Sequence, residues 1–116
     1  MLTAPSSGAL VTDSFSGTVD VGGRDVHSFT IASANQPITV TLTSAGPPAS
    51  VFMGLGVGSM ATDGTCSVFS NAAVVVQAST TPHLSGTIAT GNYCVVVFDV
   101  GNLSAAVDYA VTVVHY

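Results

Sequence analysis

Two cysteines carry the clearest chemistry in this sequence. Cys66 and Cys94 both lie in segments with strand patterns, and neither belongs to the Cys-x-x-Cys or Cys/His spacing of a zinc site. We therefore predict a structural disulfide between them, in preference to a metal site or a reactive thiol. In the chain-entropy model, the bond closes a loop of about 29 residues and stabilises the fold by roughly 3 to 4 kcal/mol. A disulfide also predicts export to an oxidising compartment, so we expect a secreted protein.

The remaining reactive side chains do not indicate an enzyme. Ser59 lies in a Gly-Val-Gly-Ser-Met-Ala segment that resembles the nucleophile elbow of hydrolases, but no glycine follows Met60 and no helical pattern comes after it. The spacings between His27, His83 and His115 match no local metal motif, and each histidine falls in a strand pattern. The sequence therefore predicts a protein without catalytic residues.

All six acidic residues are aspartates, and most of them stand at turns. A carboxylate at a turn commonly accepts hydrogen bonds from nearby backbone N–H groups, so most of these side chains are expected to be structural. Asp20 and Asp25 flank a Gly-Gly turn, and together with backbone carbonyls they could form a weak calcium site. No other cofactor is indicated.

The elements that would position these residues are strands. Residues 92–100 are apolar at both odd and even positions, which predicts a central strand covered on both faces. Residues 38–43 alternate between aliphatic residues and threonine, which indicates one face on the core and a Thr face in water. About eight or nine such segments, separated by Gly, Pro, Asn and Asp turns, predict an all-β, antiparallel, jelly-roll-like β-sandwich.

The predicted sandwich forms a single domain. The strand and turn patterns occupy residues 13–116, whereas residues 1–12 are mostly small and turn-prone and are predicted to be an extended N-terminal segment. One continuous core is expected between the two sheets. Its predicted members are Phe29, Ile31, Val40, Leu42, Ile88, Val95, Val97, Val111 and Val113.

Composition and charge exclude several classes of function. The chain has 116 residues and a net charge of −5, with Arg24 as its single Lys or Arg, so it lacks the basic surface that nucleic-acid binding requires. No segment approaches the roughly 18 consecutive apolar residues of a membrane helix, so no membrane insertion is expected. Only 6% of the residues are charged, against a usual value of about 25%. Low charge weakens the repulsion between copies, so self-association is plausible.

Five segments of the chain follow one another in a familiar order. Residues 15–18, 25–31, 38–42, 84–97 and 108–113 together resemble the bacterial pre-peptidase C-terminal domain family. The resemblance implies a jelly-roll-like sandwich of secreted bacterial proteins, often appended to proteases and related to the collagen-binding domains of clostridial collagenases. Domains of that family are non-catalytic. Residues 1–12 lack the acidic calcium-binding segment of the collagen-binding relatives.

Two functions are compatible with these features. The first is a secreted, non-catalytic module that binds an extracellular polymer or acts as an accessory domain. The second is a structural subunit that assembles with itself into an extracellular filament or surface layer, with Leu10 and Val11 pairing on an open sheet edge of a neighbouring subunit. The absence of Trp and the presence of only three Tyr favour assembly over carbohydrate binding.

Overall fold

The computed structural model describes residues 10–116, and these residues form an antiparallel β-sandwich. In this part of the chain the eight strands are β1 (Val11–Val19), β2 (Arg24–Ile31), β3 (Gln36–Gly46), β4 (Met53–Met60), β5 (Cys66–Val76), β6 (Leu84–Ile88), β7 (Gly91–Phe98) and β8 (Val107–His115). Sheet A has the strand order β1-β8-β3-β6, and sheet B has the order β2-β7-β4-β5. This is the order of a jelly roll built from two Greek keys, so the predicted fold class is confirmed. Over residues 10–116 there is no helix long and apolar enough to cross a membrane.

Strand β7 is an inner strand of sheet B, as its unbroken apolar run predicts. Val95 and Val97 face the core between the sheets, and Val96, on the opposite face of the strand, is equally buried. Glycines line the outer face of the neighbouring strand β4. Phe98 lies across Gly54 so closely that a Cβ at that position would be 2.3 Å from the Phe98 ring. Strand β7 is therefore covered on both faces by other parts of its own domain.

The predicted core is present. Eight of the nine predicted residues are buried in one hydrophobic cluster, and the ninth, Ile88, is half-buried and packs against that cluster. The Thr face of β3 differs from its prediction, because Thr43 is exposed but Thr41 is only 7% exposed. Strand β3 lies between β8 and β6, so neighbouring strands flank its outward side chains on both sides.

Cys66 and Cys94 form the predicted disulfide, and their Cα atoms are 5.9 Å apart. The bond joins the first residue of β5 to β7 and therefore spans the intervening strand β4. Strand β5 comes very close to β4 at this point, because a Cβ on Gly58 would lie 2.0 Å from the carbonyl oxygen of Ser67. Glycine at position 58 thus makes room for the crossing.

Strand β1 is longer than the sequence pattern predicts. It begins at Val11, inside the predicted N-terminal segment of residues 1–12, and it pairs with β8 along its whole length. Val11 and Thr12, which the sequence assigns to the N-terminal segment, therefore belong to sheet A. Leu10 precedes them and is 61% exposed. The rest of the predicted segment, residues 1–9, lies outside the described residues.

Candidate protein-binding surface

Four connections between the two sheets emerge at one end of the sandwich. The antiparallel register brings them together. In sheet A the start of β8 pairs with the ends of β1 and β3. In sheet B the start of β2 pairs with the end of β7, and the start of β4 pairs with the end of β5. Loops carried by a rigid sandwich are common positions for binding residues. We call these four connections the loop platform: residues 20–23, 47–52, 77–83 and 99–106.

Asp99 organises the centre of the loop platform. Its Oδ1 accepts hydrogen bonds from the backbone N–H groups of Gly101, Asn102 and Leu103 at 2.7, 3.1 and 3.3 Å. Its Oδ2 accepts a hydrogen bond from the N–H of Gly22 at 2.7 Å. These donors, with the Gly22 N–H contributing most, hold the pKa of the Asp99 carboxyl below its usual value. One side chain therefore orders the β7–β8 loop and fastens it to the β1–β2 turn.

Further hydrogen bonds connect the other loops of the platform. The side-chain amide of Asn102 donates to the carbonyl oxygen of Phe52 at 3.1 Å. The side-chain amide of Gln77 donates to the carbonyl oxygen of Ser50 at 2.7 Å. With the Asp99 contacts, these bonds link all four segments of the platform. Such a surface loses little conformational freedom when a partner binds it.

His83 anchors the β5–β6 loop to the body of the domain. Its Nδ1 accepts a hydrogen bond from the backbone N–H of Leu42 at 3.0 Å, so Nε2 carries the proton and donates to the carbonyl oxygen of Gln77 at 2.9 Å. The backbone N–H of His83 also donates to the carbonyl oxygen of Val40 at 2.9 Å. The residue stands in the loop before β6 and not in a strand, and its role is structural.

The loop platform presents large apolar side chains to solvent. Val21, Phe52 and Val100 are 57%, 48% and 39% exposed. A shallow cleft of about 270 Å³ lies beside Phe52 and is lined by Pro48 and Leu103, among other residues. Exposed apolar side chains on ordered loops are typical of protein contact surfaces.

The charge at this end of the molecule is mainly negative. Asp20 is exposed, and its backbone carbonyl closes the β1–β2 turn by accepting from the N–H of Gly23 at 2.8 Å. Asp108 is exposed as well and accepts a hydrogen bond from the hydroxyl of Thr18 at 2.7 Å. Together with Asp99, these residues place three carboxylates around the platform, beside the single guanidinium of Arg24.

The two calcium candidates occupy different environments. Asp20 has an exposed side chain at the turn, whereas Asp25 accepts a hydrogen bond from the hydroxyl of Tyr109 at 2.7 Å. Burial, and then the hydrogen bond and negative charge of Asp25, raise the pKa of Tyr109 well above its usual value. Among residues 10–116, no three His, Cys, Asp or Glu side chains form a group that could hold a metal ion. Calcium binding at Asp20 and Asp25 stays a prediction.

The other two histidines have separate structural partners. His27 lies with its Nε2 2.7 Å from the Tyr109 hydroxyl and stacks on Phe15 with ring centroids 4.8 Å apart. His115 is 4% exposed, and its Nε2 lies 2.7 Å from Oδ2 of Asp13. The contacts of His27 join β2 to β1 and β8, and the contact of His115 joins β8 to β1.

A second exposed apolar region lies on strand β5, at the edge of sheet B. Val68, Phe69 and Val75 are 36%, 38% and 56% exposed. This strand carries no charged residue, and its pairing with β4 shifts register between Gly56 and Gly58. It provides a useful comparison for the loop platform, because the two regions expose similar side chains on different supports.

The sequence indicates the turn at Asp99 but not the platform. An Asp that follows an apolar run and is followed two residues later by Gly is typical of a turn in which the carboxylate accepts backbone hydrogen bonds. The contact of that carboxylate with Gly22 spans 77 residues of sequence, and the contact of Asn102 with Phe52 spans 50. No local pattern reports such pairs.

Similarity to known proteins is found at the level of the fold. No protein-family model matches the chain, and no curated protein gives a significant match. Among solved structures, the chain is similar to PliG of Aeromonas hydrophila, a periplasmic lysozyme inhibitor of g-type lysozyme, with a TM-score of 0.55 and 15% identity over 97% of this chain and 90% of that one. It is also similar to PliG of Salmonella Typhimurium, with a TM-score of 0.52 and 18% identity over 88% of each chain.

These neighbours correct two predictions from the sequence. The resemblance to the pre-peptidase C-terminal domain family is wrong, because the similar structures are PliG proteins and no family model matches. The prediction of self-association or polymer binding is also wrong, because both neighbours are inhibitors of a partner protein. Val11, predicted with Leu10 to pair with a neighbouring subunit, pairs with His115 of its own chain.

Proposed function

We propose that this chain is an exported, non-catalytic protein that inhibits a lysozyme, and that its target is a g-type lysozyme. The observation that carries the proposal is the similarity in fold to two periplasmic inhibitors of g-type lysozyme, which extends over 97% and 88% of this chain. An inhibitor of this kind acts by occupying the enzyme surface and needs no reactive group of its own.

Three features of the chain support a non-catalytic role in an oxidising compartment. Ser59 lies within β4, opposite Tyr93 of β7, and so does not occupy the strand-to-helix turn that a nucleophile elbow requires. The disulfide between Cys66 and Cys94 is stable outside the reducing cytosol. The loops at one end are held in place before any partner arrives, which favours tight binding by a small domain.

Inhibition assays with purified proteins test the proposal. The folded chain is mixed with a g-type lysozyme, and the initial rate of clearing of a bacterial cell-wall suspension is followed as the inhibitor concentration rises. We expect the rate to fall and to level off near an equimolar ratio. A c-type lysozyme serves as the specificity control. The reduced and alkylated chain controls for effects of composition and charge.

An unchanged clearing rate at a large molar excess of the folded chain would contradict the proposal. Isothermal titration calorimetry of the same pair separates absence of binding from binding without inhibition. Binding without inhibition would show that the chain contacts the enzyme away from its active-site cleft, and the inhibitor function would then be rejected.

A further inference from the structure

We propose that the loop platform is the surface that contacts the enzyme, with Phe52 and Val100 at the centre of the contact and the carboxylates of Asp20 and Asp108 around it. This inference rests on the proposed function and names the part of the molecule that performs it. The partner surface that fits the platform is positively charged and offers an apolar side chain to the cleft beside Phe52.

The loop platform exposes apolar side chains on an ordered support. Phe52 and Val100 are 48% and 39% exposed although they belong to loops that hydrogen bonds hold in place. Aromatic side chains near the centre of an interface commonly contribute most of the binding energy. An exposed Phe on a fixed loop can be buried by a partner with little loss of conformational entropy.

Hydrogen bonds between loops fix the platform in one arrangement. Asn102 reaches across the end of the sandwich to the carbonyl oxygen of Phe52, and Asp99 fastens the same loop to Gly22. Phe52 and Val100 are therefore held in one arrangement by a shared set of bonds. Asp99 is therefore a positioning residue, which affects binding to the enzyme through the loops that it orders.

The platform end of the molecule is negatively charged. The chain has a net charge of −5, and Asp20, Asp99 and Asp108 lie at the platform end, with Arg24 as the single Lys or Arg. A surface of this kind attracts a partner whose contact surface is positive and raises the rate of association at low salt. The charge therefore favours an enzyme with a cationic surface around its binding cleft.

The exposed residues of β5 offer the main alternative contact. Phe69 is 38% exposed, so its exposure is comparable with that of Val100. The strand carries no carboxylate. Val68 lines a cleft together with Gly22 and Asp99 of the platform, whereas Phe69 lies edge-on to Tyr93, toward the opposite end of the sandwich. Phe69 therefore serves as the control.

The experiment compares a platform variant and a β5 variant with the wild-type chain in binding to a g-type lysozyme. Phe52→Ala with Val100→Ser changes the platform, and Phe69→Ala changes β5. We expect the platform variant to bind at least about ten-fold more weakly and the β5 variant to stay within about three-fold of wild type. Circular dichroism and thermal unfolding check that both variants are folded, which their exposed positions favour.

Charge is tested separately with Asp20→Asn, and Asp63→Asn at the opposite end of the sandwich serves as its control. We expect Asp20→Asn to lower the association rate at low salt by about two-fold or more and to weaken its salt dependence, with little change for Asp63→Asn. Equal association rates for the two variants would overturn the electrostatic part of the inference.

The outcomes separate this inference from the proposed function. If wild type binds the enzyme and the platform variant binds equally well, the surface assignment is wrong while the function stands. Loss of binding in the β5 variant alone would move the contact to the edge of sheet B. If wild type itself does not bind, the proposed function fails and this inference fails with it.

Discussion

Replacing Tyr109 by Phe tests the polar contact that joins β8 to β2 between the sheets. Tyr109 is 3% exposed, and its hydroxyl lies 2.7 Å from both Oδ2 of Asp25 and Nε2 of His27. Phe has nearly the same volume, so the change removes hydrogen bonds without leaving a cavity. A hydrogen bond to a charged group contributes about 1.5 to 3 kcal/mol. The side chains of Asp25 and His27 are 35% and 29% exposed and can regain water.

We therefore expect Tyr109→Phe to lower the free energy of unfolding by about 2 kcal/mol at pH 7. The loss of stability caused by Tyr109→Phe should become smaller at high pH, because the pKa of Tyr109 is raised from its ordinary value of 10.0 in the folded chain. Above about pH 10 the unfolded chain loses this proton while the folded chain keeps it, so the folded state is destabilised as pH rises, by up to about 1.4 kcal/mol per pH unit. The stabilisation from Tyr109 is complete at pH values below its pKa in the unfolded chain. It is lost as the pH rises through its higher pKa in the folded chain.

Urea denaturation followed by far-ultraviolet circular dichroism measures both effects. Wild type and Tyr109→Phe are compared at pH 7, 9, 10 and 11, and their difference in unfolding free energy should shrink above pH 10. Tyr93→Phe is the control, because the Tyr93 hydroxyl donates to a backbone carbonyl, that of Ala89, and meets no carboxylate. Equal stability of wild type and Tyr109→Phe at pH 7, or a difference that does not change from pH 9 to 11, would refute the reasoning.

Three further predictions concern the core, the platform and the disulfide. Val97→Ala removes buried methyl groups and should lower the unfolding free energy by about 1 to 3 kcal/mol in urea denaturation, whereas Val100→Ala, at an exposed position, should change it by less than about 0.5 kcal/mol. Asp99→Ala should speed hydrogen exchange at the four backbone amides that its carboxylate binds, while amides of β7 keep wild-type protection; unchanged exchange at those four would show that the loops are ordered without it. Reducing the bond between Cys66 and Cys94 should lower stability by roughly 3 to 4 kcal/mol, and equal urea midpoints with and without reductant would contradict the chain-entropy argument.

Local sequence patterns determined the fold class and most of the core. The alternation in residues 38–43 places Ile38, Val40 and Leu42 inward, since successive side chains of a strand point to opposite faces. The stretch of residues 92–100, which is apolar without a break from Tyr93 to Phe98, identified an inner strand for the same reason. The disulfide followed from the presence of two cysteines in strand patterns and from the lack of a metal motif. Each of these conclusions depends on a residue and its near neighbours along the chain.

The family and the partner could not be derived in this way. Short alternating strands are required by any jelly roll, because each strand must place one face on the core, so the pattern of residues 84–97 does not distinguish one family of sandwiches from another. The sequence also cannot show whether an apolar strand end is paired within its own chain. Val11 is paired with β8, and this pairing depends on a partner strand about 100 residues away.

The loop platform was decided only by tertiary structure. Three separate loops contribute its residues Asp99, Gly22, Asn102 and Phe52. The sandwich brings these loops together because the strands that carry them meet at the same end of the sandwich. Hydrogen bonds of this kind require donor and acceptor within about 3 Å of each other. Sequence determines which side chains can make such bonds, and the folding of the sheets determines which of them meet.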